Sequence, residues 1–240
     1  VTALISPIAV QSRVLQRELP YLLAITAFAC LLFYDDGYLS KSDGWSLMML
    51  FLLIMAWSIY EGITAPQDQL AADVEQSLEE KLTSKQAVIY LVLGLIFLVI
   101  SSRILVWGGV EIATMMGISD LVIGLTIVAI GTSLPELASA IAAVRKNEHD
   151  LALGNVIGSN MFNTSIVVGI TGTLAPTQLD PDLLSRDLIV VIFLTIVLAA
   201  SCWNFSGRGG RVNRWEAGFL LTVYVSYTSY LVITAAPASL

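Results

Sequence analysis

Seven apolar runs follow one another along this chain of 240 residues, and each is long enough, or nearly so, to cross a bilayer as a helix. They occupy 19–34, 45–63, 86–113, 118–144, 150–173, 187–205 and 214–235, and residues 1–12 resemble the end of a further span. About 20 apolar residues in a helix match the thickness of the hydrocarbon core. Hydrophobic residues make up 56% of the chain and charged residues only 13%, which excludes a soluble domain with a solvated surface. The sequence therefore predicts an all-α, polytopic membrane helix bundle.

One long polar stretch, 64–85, interrupts the series and holds five acidic residues and two lysines. Its composition is typical of a solvated connector, so we place the boundary between two halves of the bundle there. If the helices alternate in direction, nine basic residues fall on the connector's side of the membrane and two on the other. The nine are Arg13, Arg17, Lys81, Lys85, Arg145, Lys146, Arg208, Arg211 and Arg214, and the two are Lys41 and Arg186. The asymmetry predicts a multi-pass protein whose 64–85 connector is cytoplasmic.

The two halves show an internal repeat when the chain is shifted along itself so that Pro7 falls on Pro176. The same shift pairs the run 17–19 (Arg-Glu-Leu) with 186–188 (Arg-Asp-Leu), and the apolar run 19–34 with 188–203. The charge count puts the two paired arginines on opposite sides of the membrane, as inverted repeats require. We therefore expect 1–63 to be the remainder of a first repeat, with three spans of which the first is partial. Residues 86–240 would form a complete second repeat of five helices, and about eighty residues would precede Val1 by the same shift.

A polar motif, Gly-Thr-Ser-Leu-Pro-Glu at 131–136, lies inside the apolar run 118–144. Pro135 removes a backbone donor and disfavours helix at the residue before it, so the span should break near 131–135. Thr132 and Glu136 then share a helix face, with Ser133 beside them. Ser133 and Glu136 also fit an ordinary capping box, the more common meaning of this spacing in soluble proteins. At membrane depth, however, irregular backbone is tolerated where it lines a cavity or is buried in protein, which favours ion binding.

A second motif, Gly-Asn-Val-Ile-Gly-Ser-Asn-Met-Phe-Asn, follows at 154–163. Gly154 and Gly158 form a small-residue ridge whose usual role is close helix packing. Asn155, Ser159 and Asn163 form a polar stripe, for which interhelical hydrogen bonding is one explanation. The other is that Ser159 and Asn163 offer neutral oxygens opposite Glu136. Ca²⁺ takes about six to eight oxygen ligands, and one carboxylate does not neutralise it, so a symmetry-related second acid is implied.

Enzymatic catalysis has little support in the sequence. The one histidine, His149, lies beside Glu148 in the loop that follows the first motif, and we interpret it as a solvated loop residue. No nucleophile with an adjacent base stands out inside the spans. We therefore expect a protein that is not an enzyme and that needs no cofactor.

The two motifs and their spacing resemble the second signature repeat of the sodium/calcium exchanger family, within the cation/calcium antiporter superfamily, and above all its prokaryotic members. The resemblance extends over the whole chain as about 7–8 of the ten helices of the inverted-repeat exchanger fold. It implies secondary active antiport of Na⁺ and Ca²⁺ by alternating access in a prokaryotic inner or plasma membrane. In that cycle two long helices slide across the half-helices of the site, and 86–113 resembles one of them. The first signature block has no counterpart in this chain.

Carried over position by position, the resemblance implies a central ligand shared by Ca²⁺ and Na⁺ at Glu136. It adds Thr132, Ser133 and Ser159 as ligands, the carbonyl of Ala129, and Asn163 as an outer participant. Some exchangers have Asp where this chain has Asn163, so the stoichiometry of coupling stays open. The expected partners are membrane lipid, the two ions and the first-repeat segment that would complete the site, with no nucleic acid. Two alternatives remain: a cation antiporter coupled to protons or K⁺, and a truncated subunit that does not transport.

Overall fold

A computed structural model describes residues 1–10, 13–64, 83–118, 120–203 and 210–235. Most of the expected acidic connector, 65–82, lies outside the described residues. In chain order the elements are α1 (Thr2–Ile5), β1 (Ile8–Val10), α2 (Arg13–Asp36), β2 (Tyr38–Leu39), α3 (Lys41–Thr64), α4 (Ser84–Met115), α5 (Asp120–Ile123), a first π-helical turn (Gly124–Val128), α6 (Ala129–Thr132), α7 (Leu134–Arg145), α8 (His149–Phe162), a second π-helical turn (Asn163–Val167), α9 (Val168–Leu174), β3 (Thr177–Gln178), a third π-helical turn (Leu183–Asp187), α10 (Leu188–Cys202), β4 (Gly210–Val212) and α11 (Arg214–Ala235).

Within the described residues, six helical segments are long and apolar enough to cross a membrane, and a bent pair of helices, taken as one span, makes a seventh. The six are Glu18–Asp36, Lys41–Glu61, Lys85–Met115, His149–Leu174, Leu183–Cys202 and Arg214–Thr234. The bent pair, Thr126–Thr132 with Leu134–Arg145, is the apolar run in which the sequence predicts a break. The chain is thus an all-α, multi-pass helix bundle, as predicted. Within 1–10, where the end of a span is expected, the structure has the single turn α1 followed by strand β1.

Two short antiparallel sheets, which the sequence does not predict, join the two halves of the chain. Strand β1 pairs with β4 and β2 pairs with β3. The shift that defines the repeat carries β1 onto 177–179, where β3 lies, and carries β2 onto 207–208, just before β4. Each sheet therefore contains one strand from each expected half, and the expected repeat would relate the two sheets to each other. Because α2 runs from the end of β1 to β2, the sheets lie at opposite ends of the bundle.

Helix α2 lies at the centre of the packing. Leu19, Leu22 and Ile25 are buried in one cluster with Ile157 and Met161 of α8. A second cluster, at the β2–β3 end, joins the later part of α2 to its neighbours through Ala29, Phe33, Leu39, Leu47 and Leu188. Helix α2 also packs against α10, its counterpart under the repeat. The core thus positions α8, which carries the second motif.

Helices α3 and α9 cross with their backbones in close contact. A Cβ atom built on Gly44 would lie 2.5 Å from the Gly169 carbonyl oxygen, and one built on Gly169 would lie 2.8 Å from the Gly44 carbonyl oxygen. The sequence predicts such a role for Gly154 and Gly158. For Gly158 no helix among the described residues approaches closely, because a Cβ there would meet nothing within 4 Å. Small residues permit close approach only where a neighbouring helix actually crosses.

Candidate ion-binding site

The first motif lies at a break between two helices. The bend between the segments Thr126–Thr132 and Leu134–Arg145 is 43°, and Ser133 is the residue between them. The Ser133 N–H donates to the Ile130 carbonyl at 3.1 Å, three residues back, so the helical ladder tightens at this point. The next helix starts at once, since the Leu137 N–H donates to the Ser133 carbonyl at 3.0 Å. The predicted break in 131–135 is therefore confirmed, with Pro135 in the first turn of the new helix.

The capping-box alternative does not hold at this break. Ser133 occupies the N-cap position of α7, yet its side chain makes no capping hydrogen bond. Its side chain is exposed, as is that of Thr132. The Ser133 hydroxyl therefore does not cap the N-terminus of α7, which is the role that this spacing usually has in soluble proteins.

Thr132 and Ala129 are in direct contact. The Thr132 hydroxyl donates to the Val128 carbonyl at 3.0 Å and to the Ala129 carbonyl at 3.1 Å. Because the hydroxyl proton points to carbonyls of the preceding helical turn, the lone pairs of the Thr132 oxygen are directed away from that turn. Two of the expected oxygen ligands, the Thr132 hydroxyl and the Ala129 carbonyl, thus lie beside each other.

Glu136 lies in the first turn of α7, where the positive end of the helix dipole stabilises a negative charge. Its side chain is half-buried, and its Oε2 atom is fully buried without a hydrogen-bond partner among the described residues. A buried carboxylate oxygen without a donor carries the full cost of desolvation. The chemistry of this group fits a hard cation, which carboxylate oxygens prefer to bind.

Helices α7 and α8 form a hairpin that brings the two motifs together. The turn is closed by Asn147, whose φ of 63° places it in the left-handed region. The N–H of Asn147 donates to the Val144 carbonyl at 3.1 Å, and that of Glu148 donates to the Ala143 carbonyl at 2.9 Å. This is the Schellman arrangement for ending a helix, in which Asn is the usual substitute for Gly. The turn directs α8 back along α7.

Asn155 ties the second motif to the first. Its Nδ2 donates to the backbone carbonyl of Glu136 at 3.0 Å, across the hairpin. For this member of the polar stripe, interhelical hydrogen bonding is therefore correct. Ser159, one turn further on, is half-buried, and Asn163 is exposed at the start of the second π-helical turn. Among the described residues, no hydrogen bond joins either side chain to the Glu136 carboxylate, so the ligand set predicted for them stays a prediction.

Two π-helical turns flank the candidate site, and the sequence predicts neither. The first, Gly124–Val128, ends at Ala129, and the second, Asn163–Val167, begins at Asn163. Such turns are rare and often mark functional sites, because they change which residues share a face. Thr126 and Ser165, a hydroxyl residue in each turn, donate back to the Val122 and Met161 carbonyls. A hydroxyl residue in an apolar run is no specific signal for such a turn, because Thr195 makes the same bond, to the Val191 carbonyl, inside the regular helix α10.

The start of α8 differs from the prediction in one respect. His149 begins α8, and its Nδ1 atom is buried without a hydrogen-bond partner among the described residues, so the interpretation as a solvated loop residue is wrong. The helix begins one residue earlier than expected and draws the ring against the bundle. Within the described ranges, no group of three His, Cys, Asp or Glu residues is placed to hold a metal ion. In those residues the negative charge of the site comes from Glu136, with neutral oxygens around it.

Comparison with known proteins identifies the family. A family model described as sodium/calcium exchanger protein matches residues 86–233, which include both motifs. The putative antiporter CaxA of Alkalimonas amylolytica is 41% identical over 235 residues, 98% of this chain and 73% of that protein. The sodium/calcium exchanger MaX1 of Methanosarcina acetivorans is 43% identical over 114 residues, 48% of this chain and 33% of that protein.

A solved structure shares the fold. The sodium–calcium exchanger NCX_Mj, soaked with zero Na⁺ and Ca²⁺, superposes with a TM-score of 0.73 at 27% sequence identity. The match covers 95% of this chain and 69% of that chain. The expected all-α exchanger fold is thereby confirmed. Together with the match over 86–233, this shows that the chain belongs to the sodium/calcium exchanger family.

Proposed function

We propose that this chain is the ion-binding part of a secondary active antiporter that exchanges Na⁺ for Ca²⁺ by alternating access, with its site built around Glu136. The observation that carries the proposal is the buried Oε2 atom of Glu136, which accepts no hydrogen bond from the described residues. An acidic group at membrane depth is costly and marks an ion pathway by default. A cation at this oxygen would offset the cost of burying it.

The remaining ligands of the proposed site lie at the break and on α8. The Thr132 hydroxyl and the Ala129 carbonyl lie next to each other, with the exposed Ser133 hydroxyl beside them. Ser159 and Asn163 would complete the set from α8. Glu136 compensates one positive charge, so Ca²⁺ needs a second acid, which we assign to a first-repeat block related to 131–163 by the inverted repeat.

The coupling ion is tested by flux in reconstituted vesicles. Two preparations are needed: the 240-residue chain alone, and the same chain preceded by a first-repeat block taken from a sodium/calcium exchanger. We expect an outward Na⁺ gradient to drive ⁴⁵Ca²⁺ uptake in the second preparation only. Uptake driven by a pH gradient would identify H⁺ as the coupling ion instead of Na⁺. Uptake that occurs only with K⁺ present would identify a K⁺-coupled antiporter. Uptake by the chain alone would contradict the need for a second block, and no uptake by either would favour a subunit that does not transport.

We further propose that the β1–β4 end of the bundle and the 64–85 connector are cytoplasmic. Arg211 and Arg214 lie at that end, where Arg214 donates to the Ile5 carbonyl at 3.2 Å. The turn between α7 and α8, with Arg145 and Lys146, lies there too, since α8 packs against strand β1 and α7 packs against α1. Lys41 and Arg186 lie at the other end, next to β2 and β3. The grouping of these residues supports the proposed orientation.

Labelling of introduced cysteines checks this orientation. In right-side-out bacterial membrane vesicles we expect an impermeant maleimide to label Ser185→Cys, because Ser185 is exposed at the β2–β3 end. Ser77→Cys, in the connector, should react only after the vesicles are opened. The native cysteine Cys30 is half-buried, so Cys30→Ser is the background for both variants. The reverse pattern would overturn the orientation.

A further inference from the structure

The carbonyl of Gly131 has lost its normal partner. In an α-helix it would accept a hydrogen bond from the backbone N–H four residues on. That residue is Pro135, which has no N–H. The Ser133 N–H donates to the Ile130 carbonyl at 3.1 Å and is shared with the Gly131 carbonyl, only two residues back. At membrane depth a carbonyl that has only a share of one N–H is costly, so a further donor stabilises it.

Ser102 of the long helix α4 supplies that donor. Its hydroxyl donates to the Gly131 carbonyl at 2.7 Å, across a sequence separation of 29 residues. Two features make the contact specific. Ser101, its neighbour, is exposed and donates to Leu98 in its own helix at 3.0 Å, which is what a helical serine usually does. Ser102 is half-buried and turns to the other helix.

The absence of a side chain at Gly131 makes the approach of α4 possible. A Cβ atom at Gly131 would lie 2.1 Å from Cγ2 of Val106, one turn after Ser102 on α4. Ser102 and Val106 therefore meet the break on the same face of α4. The hydroxyl reaches Gly131 because the two backbones are in close contact.

We infer that Ser102 is a positioning residue, which replaces the donor missing at Pro135 and so fixes the bend between α6 and α7. This inference rests on the proposed function, because the bend holds Thr132 and Glu136 in their relative positions. Without Ser102, the Gly131 carbonyl would keep only its share of the Ser133 N–H. A change in the bend would then be needed to supply a full donor, and the oxygens on either side of the break would move with it. The contact also ties the position of α4 to the geometry of the ion site.

The first test compares three variants by Ca²⁺ uptake in the transporting preparation. We expect Ser102→Ala to raise the KM for Ca²⁺ about threefold to tenfold, the size of one interhelical hydrogen bond in a membrane, with a smaller change in kcat. Ser101→Ala is the matched control and should keep the wild-type KM. Ser102→Thr keeps the hydroxyl and should restore it. A role in folding alone would lower the yield of protein without moving the KM, and equal KM values for the Ala variants would overturn the inference.

The second test does not depend on transport. Pro135→Ala returns an N–H to position 135, which makes the Ser102 hydroxyl redundant. In a double-mutant cycle on the thermal midpoint in detergent, Ser102→Ala should lower the midpoint in the wild-type background and have little effect in the Pro135→Ala background. Additive effects would overturn the inference. If the effects of Ser102→Ala and Pro135→Ala are coupled but no preparation shows Na⁺-driven uptake, the role of the Ser102 contact is supported and the proposed function is rejected.

Discussion

Glu136→Gln is expected to reduce Na⁺-dependent Ca²⁺ uptake by about a hundredfold or more, while the protein still inserts into the membrane. Gln keeps the size of the side chain but removes the charge that faces the cation. Removing one partner of a buried charge pair costs about 3–5 kcal/mol, which corresponds to two orders of magnitude or more in affinity. Insertion should survive because a neutral side chain at membrane depth costs less than a charged one.

The matched control is Glu111→Gln, which neutralises another acid inside a span. Glu111 is exposed on α4, within the segment Lys85–Met115 and outside the proposed site. Uptake of ⁴⁵Ca²⁺ by equal amounts of reconstituted protein measures both variants, and membrane-fraction yield reports insertion. The central assignment fails if Glu136→Gln transports like wild type, or if the two variants lose activity equally.

Gly131→Ala should have the second-largest effect, although it adds a single methyl group. The new Cβ would lie 2.1 Å from Cγ2 of Val106, too close for either atom to stay in place. The Val106 side chain is short and has no flexible end to move, so α4 has to shift away from the break. Overpacking of this kind costs about 1–3 kcal/mol. We expect a lower thermal midpoint and at least a tenfold loss of Ca²⁺ uptake.

A rescue distinguishes this clash from a general intolerance of Ala. In Gly131→Ala with Val106→Ala, Cγ2 is gone and the nearest Val106 atom to the new methyl is Cβ, at 3.4 Å, an ordinary contact. The pair should regain most of the lost stability and uptake. Gly124→Ala, in the same broken span, is the control, because a Cβ there meets nothing within 4 Å. Failure of the rescue, or an equal loss in Gly124→Ala, would show that close approach of α4 is not the cause.

The features that the sequence predicts best are those that depend on local chemistry. Apolar runs predict the spans because every helix in lipid must be apolar over about 20 residues. The break is predictable because Pro135 lacks an N–H wherever it stands. The turn from α7 to α8 is likewise local, since Asn147 adopts the left-handed conformation that ends a helix.

The features that the sequence does not predict depend on pairs of distant residues. Strand β1 is three residues long and becomes a strand only beside β4. Gly44 and Gly158 are both small residues in apolar helices, and only the crossing of α3 with α9 gives Gly44 its role. Ser101 and Ser102 are identical neighbours whose partners differ because one faces the break. In the site, the sequence alone identifies the Glu136 carboxylate, because burying an acid at membrane depth is costly. It does not predict the contact of Asn155 with the Glu136 carbonyl, because that contact forms only when α7 and α8 pack as a hairpin.

The pairing of strands across the repeat has a consequence for how the chain is made. Ile8 of β1 pairs with Val212 of β4, and Tyr38 of β2 pairs with Gln178 of β3, so most of the chain lies between the partners of each pair. At about 5–20 residues per second, synthesis of the chain between β1 and β4 takes about 10–40 seconds. During that time β1 has unpaired backbone groups at the membrane surface, and neither sheet can form until most of the second half has left the ribosome. Closure of the bundle is therefore a late step of biogenesis, which follows insertion of the individual helices.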